Sequence, residues 1–397
     1  MKILLIHNFH RSGAPSGDDL VVKREMALLQ DRGHAVRLFS KSNDDIDKWS
    51  IRRKLKLFVE IPWSKSAQLE LEKILQIEKP DIVHIHNIFP QFSISIYESL
   101  IKYNFPFVHT LHDYRLFCAN AFLFRNGANC ELCPQQNNVY CLINACFQNS
   151  YIRSLSLYIM LENIKKKLCN LHPDFFITLT EFAKNKLIEF GISGKSIYVK
   201  PNFINEILNN NVNKGNYCAF VGRISTEKGI SVLIKCFNEL ISSDIYLKII
   251  GSGPLYIDLK NKILNGNDNI ELLGLLEPKE SIEYIQNAKF LIMPSLCYEG
   301  FPITLVEAMA AGTPAIASSI GAFKYLIENY KTGILFEPGN ANDLAEKIKW
   351  LWEHDEDRRR MRENARKEYE EKYTPERNYK MLMDIYEKVI EMHRKKK

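Results

Sequence analysis

The sequence predicts an α/β protein built from two Rossmann-like, doubly wound domains, each a parallel sheet with helices on both faces. Short apolar segments alternate with longer amphipathic ones along the chain, as in strand–helix–strand units. Twelve strand candidates fall into two groups of six, separated by a polar, asparagine-rich stretch at residues 205–216. A chain of 397 residues also has the length of two domains rather than one.

The first group of strands precedes residue 203. Its members are KILLIH, AVRLFS, DIVHIHN, FPFVHTLH, FFITLT and SIYVKPN. Apolar residues at helical spacing predict helices between these strands, at residues 19–32, 68–79 and 92–103. We assign this group to an N-terminal domain over residues 1–204.

The second group follows residue 216. Its members are YCAFVGR, YLKIIGSG, IELLG, FLIMPSL, PAIAS and GILFEPG, and the helices between them are predicted at residues 229–242, 278–288, 302–311 and 341–353. These elements define a C-terminal domain over residues 205–375. A last helix, over residues 376–397, is predicted to pack back on the first domain. Ligands of such sheets bind at the carboxyl ends of the strands, so the active site is expected in a cleft between the domains.

The composition excludes several classes of protein. A hydrophobic share of 46% with 25% charged residues is typical of a globular protein. The net charge of +6 is modest for this length, which argues against a nucleic-acid partner and is compatible with anionic small substrates or membrane surfaces. No apolar run reaches about 18 residues, and MKILLIHNFH is typical of a first strand, so we expect a cytoplasmic protein.

Two motifs in the second half follow predicted strands and suit phosphate chemistry. F-V-G-R-I-S-T-E-K-G contains Arg223, whose planar fork matches phosphate oxygens, and Lys228, a compact positive charge. I-I-G-S-G-P follows the next strand, and its glycines allow close approach of a ligand or a neighbouring loop. The alternative is a tight turn before a helix with Pro254 at its first position, and both interpretations of this motif stay open.

A third motif, S-L-C-Y-E-G-F-P-I-T-L-V-E, begins at Ser295 and carries most of the functional prediction. A strand ends there and a helix is predicted to begin near Pro302. Unpaired backbone N–H groups at a helix start, together with the helix dipole, bind phosphate. The predicted phosphate site consists of Gly300, Phe301, Pro302, Ile303 and Thr304.

Two glutamates flank this phosphate site. Glu299 stands beside it, where a carboxylate suits sugar hydroxyls. Glu307 lies on the following helix, where it can receive two ribose hydroxyls, and an acid in an otherwise apolar segment needs a partner. An ordinary helical glutamate is the alternative interpretation of Glu307.

The combination of E-G-F-P-I-T-L-V-E, the following A-A-G-T-P-A-I-A-S and the upstream F-V-G-R-I-S-T-E-K-G resembles glycosyltransferase family 4 over nearly the whole chain. The resemblance implies a retaining enzyme with the GT-B fold. Such an enzyme moves a sugar from a UDP- or GDP-sugar to a glycan or lipid-linked acceptor, here in cell-surface polysaccharide assembly. It needs no cofactor or metal for catalysis, because Arg and Lys cations replace the usual magnesium.

The resemblance also assigns roles to residues. Arg223 and Lys228 bind the donor diphosphate, Glu299 contacts the sugar near its reacting carbon, and Glu307 holds the ribose. A glycine loop after the first strand reaches the diphosphate in the family, and Gly17 is the nearest match here, within S-G-D-D rather than a plain Gly-Gly.

His112 follows the fourth strand in V-H-T-L-H-D-Y and matches a family histidine that approaches the transferred sugar. With Glu299 it completes the predicted catalytic pair. The family implies front-face attack, in which the donor's own phosphate helps remove the acceptor proton. We expect the other three histidines of these strands, His84, His86 and His109, to be structural.

Two basic segments suit a membrane surface. Residues 48–63 combine two Trp and a Phe with several Lys and Arg, which favours contact with an anionic membrane or a lipid-linked acceptor at the inner face of the cell membrane. Residues 151–168 have an apolar face and end in three lysines. Packing of that face on the sheet explains the second segment at least as well.

Nine cysteines are many for a cytosolic chain, and five lie between Cys118 and Cys146. The pattern of Cys130 and Cys133, followed by Cys141 and Cys146, predicts a structural zinc site in a loop insertion, with Cys118 as a substitute ligand. Reduced or disulfide-paired cysteines are the open alternative.

Two other functions are also compatible with the sequence. A nucleotide-sugar 2-epimerase of the same fold would bind the same donor and act without an acceptor. A non-enzymatic, zinc-stabilised module that binds membrane surfaces would bind no donor at all.

Overall fold

The computed structural model describes residues 1–13, 16–168, 170–205, 215–241, 243–264 and 268–395. The chain forms two compact units. One unit comprises Met1–Leu123, Cys130–Pro201 and Asn378–Lys397, and the other comprises Phe124–Asn129 and Asn202–Arg377. Most of the polar linker predicted at 205–216 lies outside the described residues. Each unit contains a six-stranded parallel sheet flanked by helices, so the predicted fold class is confirmed.

The first sheet has the strand order β2-β1-β3-β4-β7-β8. Its strands are β1 (Lys2–Phe9), β2 (Ala35–Ser42), β3 (Ile82–Ile85), β4 (Phe107–Leu111), β7 (Phe175–Thr178) and β8 (Ile197–Val199), and a separate hairpin is formed by β5 (Phe124–Arg125) and β6 (Ala128–Asn129). The accompanying helices are α1 (Gly17–Asp31), α2 (Asn43–Lys48), α3 (Ile51–Glu60), α4 (Lys65–Glu78), α5 (Ser95–Lys102), α6 (Leu132–Gln135), α7 (Val139–Ile143), α8 (Tyr151–Lys167) and α9 (Glu181–Glu189). The strand order reverses between β1 and β3.

The second sheet has the order β11-β10-β9-β12-β13-β14. Its strands are β9 (Cys218–Val221), β10 (Leu247–Ile250), β11 (Ile270–Gly274), β12 (Leu291–Met293), β13 (Ala315–Ser318) and β14 (Gly333–Phe336). The accompanying helices are α10 (Ile230–Glu239), α11 (Tyr256–Leu264), α12 (Pro278–Asn287), α13 (Ile303–Ala310), α14 (Phe323–Leu326), α15 (Ala341–Glu353) and α16 (Asp355–Lys372). The last helix, α17 (Pro375–Lys395), returns to the first unit from Asn378 onward. The order reverses between β9 and β12, which is where ligands of such sheets bind.

Successive residues of the central strands pack on opposite faces of the first sheet. Leu4 and Ile6 belong to a core beneath α4, α5 and α8, while Ile3 and Leu5 belong to a second core that includes Leu382, Ile385, Tyr386 and Val389 of α17. Burial on both faces explains why these strands are continuous apolar runs. The last helix is therefore part of the first unit's core.

Some elements lie where the sequence analysis placed none. Helix α16 is strongly charged and buries only a narrow stripe of Met361, Ala365 and Tyr369, spaced four residues apart. The β5–β6 hairpin has strands of two residues each, too short for a periodicity signal. None of the helices in the described ranges is both long and apolar enough to cross a membrane.

Candidate active site

The loops after β9 and β12 meet at the switch point of the second sheet. The Lys228 ammonium donates to both carboxylate oxygens of Glu299, at 2.6 and 2.7 Å. The Ser295 hydroxyl donates to the Oε1 atom of the same carboxylate, at 2.6 Å. Two of the predicted donor-site residues are thus brought together as an ion pair, with a serine that the sequence analysis did not single out.

The environment of this ion pair keeps Lys228 charged. Burial opposes the charged form of the amine, but the Glu299 carboxylate and its hydrogen bond outweigh burial and raise the pKa of Lys228 above its ordinary value. The Lys228 side chain is 30% exposed and that of Glu299 is 10% exposed. A permanent positive charge therefore stands at the carboxyl ends of β9 and β12.

Glycines hold the neighbouring loops in close contact. A Cβ atom at Gly253 would lie 2.4 Å from the carbonyl oxygen of Ile224, and one at Gly251 would lie 1.9 Å from that of Gly222. A Cβ at Gly229 would lie 1.8 Å from the carbonyl oxygen of Pro294. These distances show that the two glycines of the G-S-G motif allow a neighbouring loop to approach closely.

The predicted phosphate site surrounds the start of α13, which begins at Ile303. Phe301 and Pro302 are buried, whereas Ile303 and Thr304 are half-buried. Gly300 precedes them and is half-buried. The first backbone N–H groups of a helix have no partners within the helix, so the start of α13 offers hydrogen-bond donors to an anion.

Two further predicted residues lie in the same unit. Glu307 is half-buried on α13. Arg223 is exposed and, within the described ranges, has no hydrogen-bond or ion-pair partner, so its guanidinium is available to a ligand. The donor-binding roles of these residues stay predictions.

His112 follows β4 in the first unit and is half-buried. Its ring stacks on His86 with centroids 5.3 Å apart, and its Nε2 atom lies 3.0 Å from Nδ1 of His86. Burial lowers the pKa of His112 well below its ordinary value, and the neighbouring His86 adds to the shift. His112 and Asp18 line a small cavity of about 30 Å³. A neutral ring at a strand end can accept a hydrogen bond from a ligand.

The other strand histidines are buried and hydrogen-bonded. His84 contacts the Tyr386 hydroxyl through Nδ1 and the Thr110 hydroxyl through Nε2, both at 2.7 Å. His109 contacts the Tyr97 hydroxyl, and its Nε2 lies 2.7 Å from the carbonyl oxygen of His86.

Gly17 opens α1 and is exposed, and residues 14 and 15 of the loop before it lie outside the described residues. The nearby Asp19 accepts hydrogen bonds from the backbone N–H of His10, and its Oδ1 lies 2.8 Å from Nε2 of His7. These contacts, which outweigh its burial, hold the pKa of Asp19 well below its ordinary value. A carboxylate therefore stands close to the predicted glycine contact.

The predicted zinc ligands lie around the hairpin, α6 and α7. The Cys133 thiol contacts that of Cys141, and this hydrogen bond together with burial raises the pKa of Cys133. Cys130 and Cys146 are half-buried, and within the described residues neither these four cysteines nor Cys118 forms a disulfide. Structural zinc stays a prediction.

A buried ion pair in the first unit was missed by the sequence analysis. Lys200 donates to Glu25 Oε2 at 3.0 Å, and each side chain is 1% exposed. A signal was present, because Glu25 falls within the apolar stripe of α1 formed by Val21, Val22 and Leu29. A charged residue inside such a stripe indicates a buried partner.

Comparison with solved structures defines the class. Sucrose-phosphate synthase from Thermosynechococcus elongatus superposes with a TM-score of 0.72 at 18% identity, over 98% of this chain and 99% of that one. Anabaena HepE, solved with UDP and glucose, gives a TM-score of 0.69 at 16% identity, over 98% of this chain and 100% of that one. The two doubly wound units have the GT-B fold of glycosyltransferases.

Sequence comparison defines the family. The family described as Glycosyl transferases group 1 matches residues 204–368, and Glycosyltransferase Family 4 matches residues 20–206. The glycosyltransferase MJ1178 of Methanocaldococcus jannaschii is 28% identical over 338 residues, covering 84% of this chain and 83% of that protein. The O-antigen chain mannosyltransferase C of Escherichia coli is 27% identical over 179 residues, 44% of this chain and 47% of that protein. The chain belongs to glycosyltransferase family 4 and is a glycosyltransferase.

Proposed function

We propose that this glycosyltransferase is retaining, takes its sugar from a UDP- or GDP-sugar, and transfers it to a glycan or lipid-linked acceptor in cell-surface polysaccharide assembly. The likeness to an O-antigen chain mannosyltransferase supports the pathway class. The likeness to HepE, solved with UDP and glucose, supports the class of donor.

One observation carries the proposal most directly: the Lys228–Glu299 ion pair at the switch point of the second sheet. A diphosphate placed at the start of α13 would meet the helix dipole, the Lys228 ammonium and the available Arg223 guanidinium. These fixed cations stabilise the charge that develops on a leaving nucleoside diphosphate, so the chemistry requires no catalytic metal.

The proposed reaction exchanges one bond at the anomeric carbon. The bond from that carbon to the diphosphate oxygen breaks as the acceptor oxygen bonds to the same face of the sugar. The acceptor proton passes to the departing phosphate. We assign His112 and Glu299 to the transferred sugar, Glu307 to the ribose and Gly17 to the diphosphate.

The two other functions predict different chemistry. An epimerase of this fold would convert the nucleotide-sugar without any acceptor, which product analysis of donor-only reactions would reveal. A binding module without catalytic activity would leave UDP and GDP unbound.

Donor binding can be measured by titration calorimetry with UDP and GDP. We expect one of the two nucleotides to bind the wild type and to bind Glu307→Ala at least tenfold more weakly, because hydrogen bonds to a charged group contribute about 1.5–3 kcal/mol each. Glu346→Ala removes an exposed glutamate from α15 and serves as the matched control, with unchanged affinity expected. Equal affinities of wild type and Glu307→Ala would remove Glu307 from the site, and no binding of either nucleotide would contradict the proposed donor.

We also propose contact of the first unit with an anionic membrane, through a surface formed by α3 and α8. Ile51, Leu55 and Val59 are 78%, 65% and 71% exposed and lie four residues apart on one face of α3. On α8, Tyr151 and Ile152 are 65% and 73% exposed. Exposed apolar side chains on a helix, flanked by basic residues, are typical of interfacial helices.

The two helices pack against each other, so their exposed side chains belong to one surface. The Ser156 hydroxyl donates to the carbonyl oxygen of Phe58 at 2.6 Å. Arg52, Lys54 and Lys56 are exposed along α3, while its single acid, Glu60, is buried and paired with Arg53. Helix α8 also packs a buried face on the core, as the alternative interpretation of residues 151–168 predicts.

Vesicle co-sedimentation tests this surface. The triple variant Ile51→Ser/Leu55→Ser/Val59→Ser, and separately Arg52→Glu/Lys54→Glu/Lys56→Glu, should bind anionic vesicles at least tenfold more weakly than wild type, because each basic residue near such a surface contributes about 1 kcal/mol. Leu69→Ser/Ile77→Ser/Ile257→Ser replaces three exposed apolar residues of α4 and α11 and should bind like wild type. Vesicle binding that survives both variants would contradict the proposal.

A further inference from the structure

Three side chains form a chain of contacts from helix α1 to His112. Oε1 of Glu25 lies 3.3 Å from Nε2 of His86. Nδ1 of His86 lies 3.0 Å from Nε2 of His112. Glu25 and His86 are each 1% exposed, so water has little access to the inner part of this chain.

The contact between Glu25 and His86 is supported by the atoms it would satisfy. In the part of the chain that the structure describes, Oε1 of Glu25 and Nε2 of His86 have no well-formed hydrogen bond, and both atoms are buried. An unsatisfied buried polar atom costs free energy, and an unsatisfied charge costs more. A hydrogen bond from Nε2 of His86 to Oε1 of Glu25 would satisfy both atoms together, and Nδ1 of His84 lies 3.1 Å from the same oxygen.

Glu25 is held in its ionised form. Burial disfavours the carboxylate, but the charge of Lys200, at 3.0 Å from Oε2, and the contacts with His84 and His86 keep the pKa of Glu25 well below its ordinary value. An ionised carboxylate accepts hydrogen bonds and donates none. Its partner nitrogen on His86 must therefore carry a proton.

That requirement determines which ring nitrogen carries the proton in His86 and in His112. A neutral imidazole has one N–H and one lone pair. If Nε2 of His86 donates to Glu25, then Nδ1 of His86 is an acceptor. Nε2 of His112 must then donate to it, which leaves the lone pair on Nδ1 of His112.

The remaining nitrogen of His112 is available to a ligand. Among the described residues, Nδ1 of His112 has no protein partner, and the residue is half-buried beside the small cavity that Asp18 also lines. A lone pair there accepts a hydrogen bond from a hydroxyl, whereas an N–H there could only donate one to the hydroxyl oxygen. The tautomer thus decides the direction of a hydrogen bond between His112 and a ligand hydroxyl.

We propose that Glu25 and His86 are positioning residues that hold His112 as the tautomer protonated on Nε2, so that Nδ1 accepts a hydrogen bond from a hydroxyl of the transferred sugar. The tautomer rests on the contacts above, and the sugar hydroxyl rests on the proposed function of His112. Lys200 and His84 support this series of contacts by holding the Glu25 carboxylate in place.

The tautomer can be observed directly in the wild-type protein. In nitrogen NMR of the protein labelled at its histidine rings, with His112→Gln used to assign the signals, His112 should show a protonated Nε2 and an unprotonated Nδ1. A His112 ring protonated on Nδ1, or on both nitrogens, at pH 7.5 would overturn the proposal.

Variants of His86 distinguish a role in positioning His112 from a role in packing alone. His86→Phe keeps a ring but offers no acceptor, so His112 should lose its single tautomer and kcat should fall about tenfold with an unchanged KM for the donor. His86→Gln offers both an acceptor and a donor and should retain most of the activity. Tyr97→Phe removes a hydrogen-bonding hydroxyl from His109, another buried histidine, and should change neither property.

Two outcomes distinguish this proposal from the proposed function. A His112 ring that keeps one tautomer in His86→Phe, despite lost activity, would overturn the positioning role. The expected tautomer in a protein whose His112→Gln variant is fully active would support the chain of contacts and contradict only the catalytic role of His112.

Discussion

Replacement of Lys228 by glutamine is expected to lower kcat/KM for sugar transfer by about 10²- to 10³-fold, the loss typical of removing one preorganised electrostatic contact to a transition state. Lys228 is held by both oxygens of Glu299, and its raised pKa keeps it charged at neutral pH. Without that charge, the leaving diphosphate loses a fixed counterion. Steady-state kinetics with purified donor and acceptor would measure the loss.

Two further variants make this result specific. Lys235→Gln removes an exposed lysine from the neighbouring helix α10 and should leave kcat/KM unchanged. The double variant Lys228→Gln/Glu299→Gln removes both members of the ion pair, so its stability should exceed that of Lys228→Gln, which leaves a carboxylate without its cation.

Comparison with Glu299→Gln alone separates two roles of Lys228. If Lys228 only balances the charge of Glu299, the double variant should be as active as Glu299→Gln. We expect it to be more stable than Lys228→Gln but less active than Glu299→Gln, because the diphosphate still lacks its cation.

Acidification from pH 6.5 to pH 5.5 is expected to lower the free energy of unfolding of the first unit, with about 3 kcal/mol lost through three buried histidines. Burial lowers the pKa of His86 and that of His109 to about 3, and it lowers the pKa of His112 well below its ordinary value. All three rings stay neutral in the folded protein at pH 5.5, while in the unfolded chain they take up protons near pH 6.5. Stability is therefore lost as the pH falls below 6.5, at about 1 kcal/mol for each histidine over that interval.

The carboxylate of Glu25 in the same unit changes the stability of the protein in a lower pH range. The lowered pKa of Glu25 contributes stability that is present above the ordinary pKa of a glutamate and is lost only as the pH falls toward the folded value. Between pH 6.5 and pH 5.5 this contribution is constant. The expected change in that interval belongs to the histidines.

Denaturant unfolding at the two pH values would measure this effect. Trp49 and Trp63 report on the first unit once Trp350 and Trp352 are replaced by Phe. In that background His86→Gln should reduce the acid-induced loss by about 1 kcal/mol. His172→Gln, at an exposed position, is the control and should leave the loss unchanged, and an unchanged loss in His86→Gln would contradict the assignment to His86.

The sheets could be predicted from sequence because their central strands are buried on both faces. Segments such as KILLIH and FLIMPSL are apolar runs bounded by polar residues or glycine, and all twelve candidates coincide with strands of the two sheets. Helix α16 lacks this signal, because it buries only Met361, Ala365 and Tyr369 and most of its other residues are charged.

The arrangement of the site was harder to predict, because it joins residues far apart in the chain. Lys228 and Glu299 are separated by 71 positions, and Glu25 and Lys200 by 175. Motif spacing indicates which residue types serve phosphate and sugar. It carries no information on which acid will meet which base, since that depends on strand order. His86 was expected to be structural, and its contact with His112 depends on the pairing of β3 with β4.

The position of α17 has a consequence for synthesis of the protein. Asn378 accepts a hydrogen bond from the buried Lys200 and Tyr386 contacts His84, so the polar interior of the first unit includes side chains from the far end of the chain. A ribosome that has released only the first two hundred residues has made a sheet that still lacks one of its covering helices. The second unit emerges complete before the first can close. A nascent chain of this protein therefore carries an uncovered apolar sheet face through about the second half of its translation.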